Sequence, residues 1–499
     1  MKLAELIEGV PVEAVKGDGD VEVADLAYDS SEVGPGALFF CVRGMSADGH
    51  EFAPGAVARG AAALVVEREL DLPVPQVVVD DVRAAMSPLA VRFWGDPTAE
   101  LAIAGITGTN GKTTTAFLLR AILEDAGRRT GLLGTVKRIV GGREEEVVRT
   151  TPEAIDLQRT FRRMRDGGDE ACVMEVSSHA LVLGRSAGIG FDVKVFTNLT
   201  QDHLDFHTDM EDYFAAKRAL FIDGAGTGAA PAPASGIAVV NVDDPYGRRL
   251  ADELRGAGGA AVTFSAAGGA ADFRAEAVEF DATGARFRCV APGAEADVEI
   301  PLPGHFNVEN ALAALAAAGS LGVGIEPAAN ALARAQRAPG RFEPVDEGQS
   351  FAVLVDYAHT PDSLDNVLRA ARRITHGRLI CVFGCGGDRD RDKRPRMGRI
   401  GAELSDLCVV TSDNPRSESP EAIIAEILDG IPAPGEVEVE PDRRAAIALA
   451  VTSAGPGDTV VIAGKGHEQG QEFEGGRKVP FDDREVAGEE LRRLRTTTA

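Results

Sequence analysis

The sequence predicts an α/β protein of three domains, and three observations predict it. Short apolar runs bounded by glycine alternate with helical segments, as in a mostly parallel sheet covered by helices. Two breaks interrupt the alternation, the Pro/Asp-rich GDPTAE at 95–100 and APGRFEP at 338–344. The length of 499 residues corresponds to about three domains at roughly 100–200 residues each. The expected boundaries are 1–97, 98–337 and 338–499.

In the first domain, ALFFCVR (37–43) and AAALVVE (61–67) read as strands around a helix-like FAPGAVARG. In the second, LAIAGITG, TGLLGT, ACVMEVSS, VKVFTNLT and IAVVNVDD are the expected strands, and the Ala-rich NVENALAALAAAGSL (307–321) closes the section as a helix. Gly/Ala-rich patches at 223–236 and 254–272 read as loops or insertions. In the third, FAVLVDY, RLICVFG, LCVVTSD and TVVIAGK alternate with helical patterns, clearest at 361–373 and 441–454. That restart predicts a second, independent domain of doubly wound, Rossmann-like type.

Composition narrows the function. With 52 basic against 78 acidic side chains and a net charge of -26, the surface does not suit a protein that tracks nucleic-acid phosphates. An anionic small substrate remains compatible, because a local cluster of cations can sit inside an acidic protein. No apolar run approaches the ~20 residues of a membrane span, and MKLAELIEGV lacks the layout of a signal peptide. The six cysteines (Cys41, Cys172, Cys289, Cys381, Cys385, Cys408) form no CxxC pair and lie mostly in apolar runs, which reads as small buried residues in a reducing cytoplasm. Only nine of the basic residues are lysines, so each lysine inside a motif is worth inspecting.

The strongest local signal is LAIAGITGTNGKTTTAFLLRAIL, a strand, a glycine-rich turn and a helix with an apolar face. Glycines let main-chain N–H groups turn toward an anion, the helix N-terminus adds partial positive charge, and Lys112 adds a full one. Thr113 follows the lysine, where a hydroxyl usually reaches Mg²⁺. The strict G-x4-G-K-[ST] spacing fails, because Ile106 stands where the first glycine belongs; the glycines fall at 105, 108 and 111. Residues 105–114 are expected to bind nucleotide phosphates. Two further strands end on polar groups: Glu175 in MEVSSHAL, and Asp202, His203, Asp205 and His207 in NLTQDHLDFH. In a parallel sheet such strand ends share one edge with the phosphate loop. Lys217, in DYFAAKRALF, reads on spacing alone as a surface ammonium.

Together GTNGKTT, TTPE (150–153), MEVSSHAL, NLTQDHLDFH, the Lys217 segment and GHFNVENALAA (304–314) resemble the Mur ligases, in order from about residue 25 to about 470. Within that family, DNPR (413–416) and GKGHE (464–468) resemble the branch that adds the third amino acid of the peptidoglycan precursor. The resemblance implies a UDP-binding N-terminal domain, a central ATPase domain and a C-terminal amino-acid domain. It implies ATP-driven amide formation on a D-glutamate side chain through an acyl phosphate, with two Mg²⁺ ions neutralising the meeting anions. By the same resemblance, Gly108, Thr109, Asn110, Gly111, Lys112, Thr113 and Thr114 hold ATP, with Asn307, Arg341 and Asp356. Thr113 and Glu175 are the expected ligands of one Mg²⁺, Glu175 and His203 those of the other. Lys217 matches the family's carbamylated lysine, a CO₂-derived carboxylate-like anion supporting the second ion, which replaces the surface reading. Lys112, Glu175, His203 and Lys217 are thus the expected catalytic set. Ser30 and the segment Met45, Ser46 and Ala47 are expected at the UDP end of the UDP-N-acetylmuramoyl dipeptide, and Thr150, Thr151, Ser177 and Arg185 at its sugar-peptide. Leu183 stands where some relatives carry glutamine.

The third amino acid can be argued from chemistry. DNPR follows the apolar strand LCVVTS, so it lies on a loop at a strand end. Asp413 and Asn414 offer acceptors for an ammonium, and Arg416 offers a bidentate fork for a carboxylate, with Arg389 as a second guanidinium; Pro415 belongs to the same expected diaminopimelate-binding set. Glu468 and the Gly464 carbonyl can take another ammonium. Meso-diaminopimelate is an amino acid at both ends and matches these groups in pairs. L-lysine lacks the distal carboxylate and would leave Arg416 unpaired. The expected partners are small molecules, with no nucleic acid, no membrane insertion and a monomeric chain. The competing classes are a sister ligase with another acceptor (lysine-adding or folylpolyglutamate-type), a phosphotransferase or nucleotide switch, and a non-catalytic nucleotide-binding module.

Overall fold

A computed structural model describes residues 1–44, 47–147, 149–223, 232–281, 283–432 and 437–498. The protein is α/β, and the chain divides into two compact units, Met1–Gly105 with Arg128–Asp192, and Ile106–Gly127 with Val193–Ala499.

The first unit opens with a five-stranded sheet. Asp25–Ala27, Ala37–Phe40, Ala63–Val66 and Gln76–Val78 run parallel, and Ala14–Lys16 pairs antiparallel to the last of them. Ala37–Phe40 and Ala63–Val66 are buried on both faces, so they read as unbroken apolar runs. The helix Val82–Trp94 follows. Asp81 caps it by accepting from Arg83 N and Ala84 N, and Gly95 ends it at φ 73°, a conformation that glycine adopts without strain. The same unit holds Ala171–Glu175, parallel to Thr130–Leu133, whose sheet continues through the antiparallel strands Arg138–Val140 and Arg143–Glu145.

In the second unit Val193–Phe196, Ile237–Asn241, Ala261–Ser265 and Phe273–Phe280 are parallel, each to the next. An antiparallel meander through Ala285–Ala291 and Ala294–Ile300 completes that sheet. The strand Ala261–Ser265 corrects the loop reading of 254–272: AVTFS is a short strand whose apolar pattern the surrounding glycines and alanines obscure. Of the other such patch, 224–231 lies outside the described residues. The buried helix His305–Ser320, almost entirely alanine and leucine on its inner face, packs on the helix Lys112–Asp125. The C-terminal sheet has the order Glu343–Pro344, Ala352–Asp356, Thr459–Ala463, Leu379–Phe383, Leu407–Val410, Val437–Val439, parallel except for its first, antiparallel strand. Its parallel strands therefore deliver 357–362, 384–390, 411–416 and 464–468 to one edge, where ligands bind in such sheets.

Candidate active site

The phosphate loop is built as the sequence suggests. The strand Ala102–Thr107 runs into Gly108 at φ 149° and Gly111 at φ 87°, and the helix Lys112–Asp125 starts directly afterwards. Both glycines are required by close approach as well: a Cβ at Gly108 would lie 1.8 Å from Thr197 Oγ1, and one at Gly111 2.3 Å from Asn310 Oδ1. Gly111 caps the helix without a side-chain acceptor, so it leaves the first-turn N–H groups to an anion. Lys112 Nζ donates to Gly108 O at 2.8 Å and Thr109 O at 2.7 Å, holding the ammonium against the loop. The loop is braced from the next strand end, where Thr109 N donates to Asn198 O, Asn110 N to Asn198 Oδ1 and Thr109 Oγ1 to Thr200 O. Thr113 and Thr114 are buried, and Thr113 Oγ1 accepts from Arg341 Nη2 at 3.2 Å.

Lys217 is fully buried, not a surface ammonium. It lies on the helix Met210–Arg218, and its Nζ donates to Gly108 O at 2.9 Å and sits 4.6 Å from the Tyr213 ring centroid. Burial first, and then the neighbouring Lys112 charge, hold its pKa well below the usual lysine value, against the pull of Asp202. His203, in the left-handed region at φ 57°, has its Nε2 3.5 Å from Asp202 Oδ2, and His359 Nε2 lies 3.7 Å from the same oxygen. Burial raises the Asp202 pKa, but His203, His359 and Lys393 outweigh it and hold the carboxyl well below its ordinary range.

The other residues expected on the nucleotide side are tied into the frame. Asn307 Nδ2 donates to Pro303 O, and its Oδ1 accepts from Asn310 Nδ2. Arg341 lies over the Tyr357 ring at 4.4 Å. Asp356 is buried and accepts from Phe342 N and Ala358 N, while burial pushes its carboxyl up. Asp362, which sequence reasoning missed, accepts from Asn110 Nδ2 at 2.8 Å, and so links the phosphate loop to the C-terminal sheet's helix Pro361–Ile374.

Glu309 is a further missed carboxylate, on the helix His305–Ser320. Burial, then Asp243, Asp362 and Asp244, push its pKa up to about 8. In the unfolded chain it ionises near 4.5, so between that pH and about 8 the folded state holds the extra proton and stability falls as pH rises. Glu309→Gln is expected to raise the melting temperature at pH 8, with the gain shrinking toward about pH 5. Thermal melts across that range check it.

In the first unit Glu175, Thr150, Thr151, Ser177 and Arg185 form one hydrogen-bonded cluster. Glu175, at the end of Ala171–Glu175, is buried and accepts from Thr135 N at 2.9 Å and from Thr135 Oγ1 at 3.1 Å. Gly134 makes room for it, because a Cβ there would lie 2.5 Å from Glu175 Oε1. Thr150 Oγ1 is 3.1 Å from Thr135 Oγ1, and Thr151 Oγ1 donates to Glu175 O and accepts from Ser177 N. Ser177 caps the short helix Ser178–Val182. Arg185 Nη1 reaches Thr151 O at 3.4 Å, and its Nε lies 2.9 Å from Glu153. Arg83 and Arg149 converge on the same buried Glu153, leaving more positive than negative charge there; the sequence held no spacing signal for this. Ser30 sits in the turn after Asp25–Ala27 and its carbonyl accepts from Arg59 Nη1, while Ala47 is exposed and its carbonyl accepts from Gly44 N. Met45 and Ser46 lie outside the described residues.

At the C-terminal edge Asp413, Asn414 and Pro415 are buried and Arg416 is half-buried. Gly464, at φ 119°, lets the GKGHE turn approach Asp413, whose Oδ2 would be 2.6 Å from a Cβ there. The fully buried Lys465, unassigned by sequence reasoning, donates to Asn414 Oδ1 at 2.8 Å and Glu468 Oε2 at 3.0 Å, and lies 3.6 Å from Asp413 Oδ1. Asn414 Nδ2 donates to Glu468 Oε2, so its amide orientation is fixed at both ends. The buried pair Arg443–Asp483 ties the two loops, with Arg443 donating to Ser412 O and Ala463 O, the residues just before DNPR and GKGHE. Arg389 is exposed and donates to Asp388 O.

These features are those of a nucleotide-dependent enzyme, with a glycine-rich loop at the end of one sheet's strand and a cluster of acceptors and guanidinium groups at the edge of another. Residues 22–94 match the Mur ligase family catalytic domain, 106–318 the Mur ligase middle domain and 340–466 the Mur ligase glutamate ligase domain. The chain belongs to the Mur ligase family. It is 46% identical to the UDP-N-acetylmuramoyl-L-alanyl-D-glutamate--2,6-diaminopimelate ligase of Syntrophomonas wolfei, over 99% of each chain. To the protein of that name from Streptomyces coelicolor it is 48% identical, over 98% of this chain and 96% of the other. A solved structure of a UDP-N-acetylmuramoyl-L-alanyl-D-glutamate--2,6-diaminopimelate ligase is similar with a TM-score of 0.69 and 32% identity, over 99% of both chains. The Thermotoga maritima MurF ligase, solved in complex with ADP, shares the fold at a TM-score of 0.64 and 20% identity, over 95% of this chain and 97% of the other. Among the described residues no helix is long and apolar enough to cross a membrane.

Proposed function

We propose that the chain is an ATP-dependent, ADP-forming ligase that joins meso-2,6-diaminopimelate to the D-glutamate γ-carboxylate of UDP-N-acetylmuramoyl-L-alanyl-D-glutamate, in peptidoglycan precursor synthesis. The observation that carries this reading is the pairing of a phosphate loop with a strand-end edge bearing acceptors and guanidinium groups in matched sets, in a chain alike over its full length to relatives of that name. The segment 1–97 takes the UDP end, 98–337 the ATP and 338–499 the amino acid. All six cysteines are free and buried, which suits a reducing cytoplasm.

In this reading Lys112 and the uncapped helix N-terminus bind the ATP phosphates, and Arg341 orients the Thr113 hydroxyl. The substrate carboxylate attacks the γ-phosphorus, and the bond to the ADP oxygen breaks. The amine nitrogen then attacks the acyl carbon of the resulting acyl phosphate, a proton leaves nitrogen, and inorganic phosphate leaves as the amide forms. The first step brings two anions together and the second builds negative charge on the acyl oxygen, so charge neutralisation is the main demand on the site.

Among the described residues no three His, Cys, Asp or Glu side chains gather into a metal cage. That donor set still suits Mg²⁺, which takes one or two carboxylates and completes its shell with phosphate oxygens and water. Thr113, Glu175 and His203 would hold two ions, with a carbamate on Lys217 supporting the second; bound Mg²⁺ supplies charge neutralisation at the phosphates. The buried, depressed Lys217 amine is suited to carbamylation, because only the neutral amine has the lone pair that attacks CO₂. The N–C bond forms, a proton leaves nitrogen, and an anion replaces an ammonium that would repel Lys112.

Isotope transfer tests the acyl phosphate. With ¹⁸O in the glutamate side-chain carboxylate of the dipeptide, one label is expected in the released inorganic phosphate. Phosphate without label would exclude the acyl phosphate.

A further inference from the structure

Beyond the GKGHE turn the chain makes a small antiparallel hairpin, Gln471–Phe473 with Arg477–Val479, closed through Gly475 and Gly476 in the left-handed region at φ 70° and 74°. The hairpin is stitched to the DNPR loop by four contacts. Gln471 Nε2 donates to Asp413 O at 2.8 Å, and Glu472 N donates to Asn414 Oδ1 at 3.0 Å. Arg416 N donates to Glu472 O at 3.0 Å, and Arg416 Nε donates to Glu472 Oε2 at 3.0 Å. Arg416 itself is held at φ 52°, a main-chain conformation that a residue with a side chain adopts only when its surroundings impose it. Glu472 grips both the main chain and the side chain of Arg416 in that conformation.

The grip also sets which part of the guanidinium is on offer. Nε is committed to Glu472 and Nη1 donates to Gly387 O at 2.7 Å, so Nη2 is left without a partner among the described residues. Glu472 neutralises Arg416 in the ligand-free state. The exposed Arg389, which has no carboxylate partner among the described residues, brings the second positive charge that an arriving carboxylate requires.

We propose that Glu472 is a positioning residue for recognition of the distal carboxylate of diaminopimelate, fixing the Arg416 guanidinium so that its Nη2 meets that group. The inference rests on the reading above, in which Arg416 binds the distal carboxylate. Glu472 lies just past the stretch that resembles the family, and its side chain is more than a third exposed, so its variants are expected to fold.

The test is kcat/KM for meso-diaminopimelate and for L-lysine, with KM for ATP, in Glu472→Ala, Glu472→Gln and Arg416→Ala. Glu472→Ala is expected to raise KM for diaminopimelate about tenfold, as misplacement of a substrate-binding group does. Its kcat at saturation, its KM for ATP and its kcat/KM for L-lysine are expected to stay at parent values. Glu472→Gln keeps an acceptor for Nε and is expected to restore most of the loss. An equal fall for both amino acids would make Glu472 merely structural. A lower KM for diaminopimelate in both Glu472 variants would make it a competitor for the fork. Either result overturns the proposal. If Arg416→Ala abolishes discrimination while Glu472→Ala leaves it intact, this inference fails alone. If Arg416→Ala also leaves discrimination intact, the reading of Arg416 fails and takes the inference with it.

Discussion

Arg416→Ala is expected to lower kcat/KM for meso-diaminopimelate about 100-fold while leaving the low activity with L-lysine nearly unchanged. The two amino acids differ at one distal carboxylate, so the change isolates what Arg416 contributes to the larger substrate. A charge-assisted contact from a half-buried guanidinium to a carboxylate is worth about 1.5–3 kcal/mol, and about 1.4 kcal/mol is tenfold. Arg416→Lys is expected to recover only part of the loss, because one ammonium cannot hold Glu472 and Gly387 as Nε and Nη1 do while a third nitrogen faces the substrate. The check is steady-state kinetics with each amino acid at saturating ATP and dipeptide. Preserved preference in Arg416→Ala would remove the DNPR loop from specificity.

Lys217→Arg is expected to reduce kcat by about 1,000-fold, the scale seen when a preorganised charge is lost from an active site. Arginine keeps the positive charge, cannot take up CO₂, and would press a permanent cation against Lys112. The parent enzyme, stripped of CO₂, is expected to regain activity on addition of bicarbonate, and Lys217→Arg to show no such recovery. Mass spectrometry of the peptide carrying residue 217 checks the adduct directly. If Lys217 were unmodified in active enzyme with nucleotide and Mg²⁺ bound, its assigned role would be wrong. The depressed pKa supports the reaction, because it raises the neutral fraction of the amine at neutral pH.

The phosphate loop was legible because one local stretch encodes strand, turn and helix, and the glycines at 108 and 111 are demanded by both φ and close contact. The strands of the C-terminal sheet were legible for a related reason: buried on both faces, they read as unbroken apolar runs. Less local features were hidden. Phe273–Phe280 and Ala294–Ile300 carry charges on their exposed positions, so their strand character shows only as alternation. Ala261–Ser265 was masked by its glycine-rich neighbours. On spacing alone Lys217 looked superficial; its burial comes from packing against Gly108, 109 residues earlier in the chain. Lys465 and Glu472 were missed because their importance lies in holding other side chains, which neither periodicity nor motif spacing reports.

Charge balance looks different at the level of the site. The chain carries a net charge of -26, yet around Glu153 and around Asp413 the cations outnumber or match the carboxylates. Such a local balance suits the anionic substrates of the proposed reaction.

The most direct test of the central claim is ADP formation measured with each substrate omitted in turn. ADP is expected only when ATP, the UDP-muramoyl dipeptide and meso-diaminopimelate are all present, in step with one new amide per ADP. Steady ADP release without the dipeptide or without the amino acid would make the protein a nucleotide hydrolase or switch, and would contradict the account.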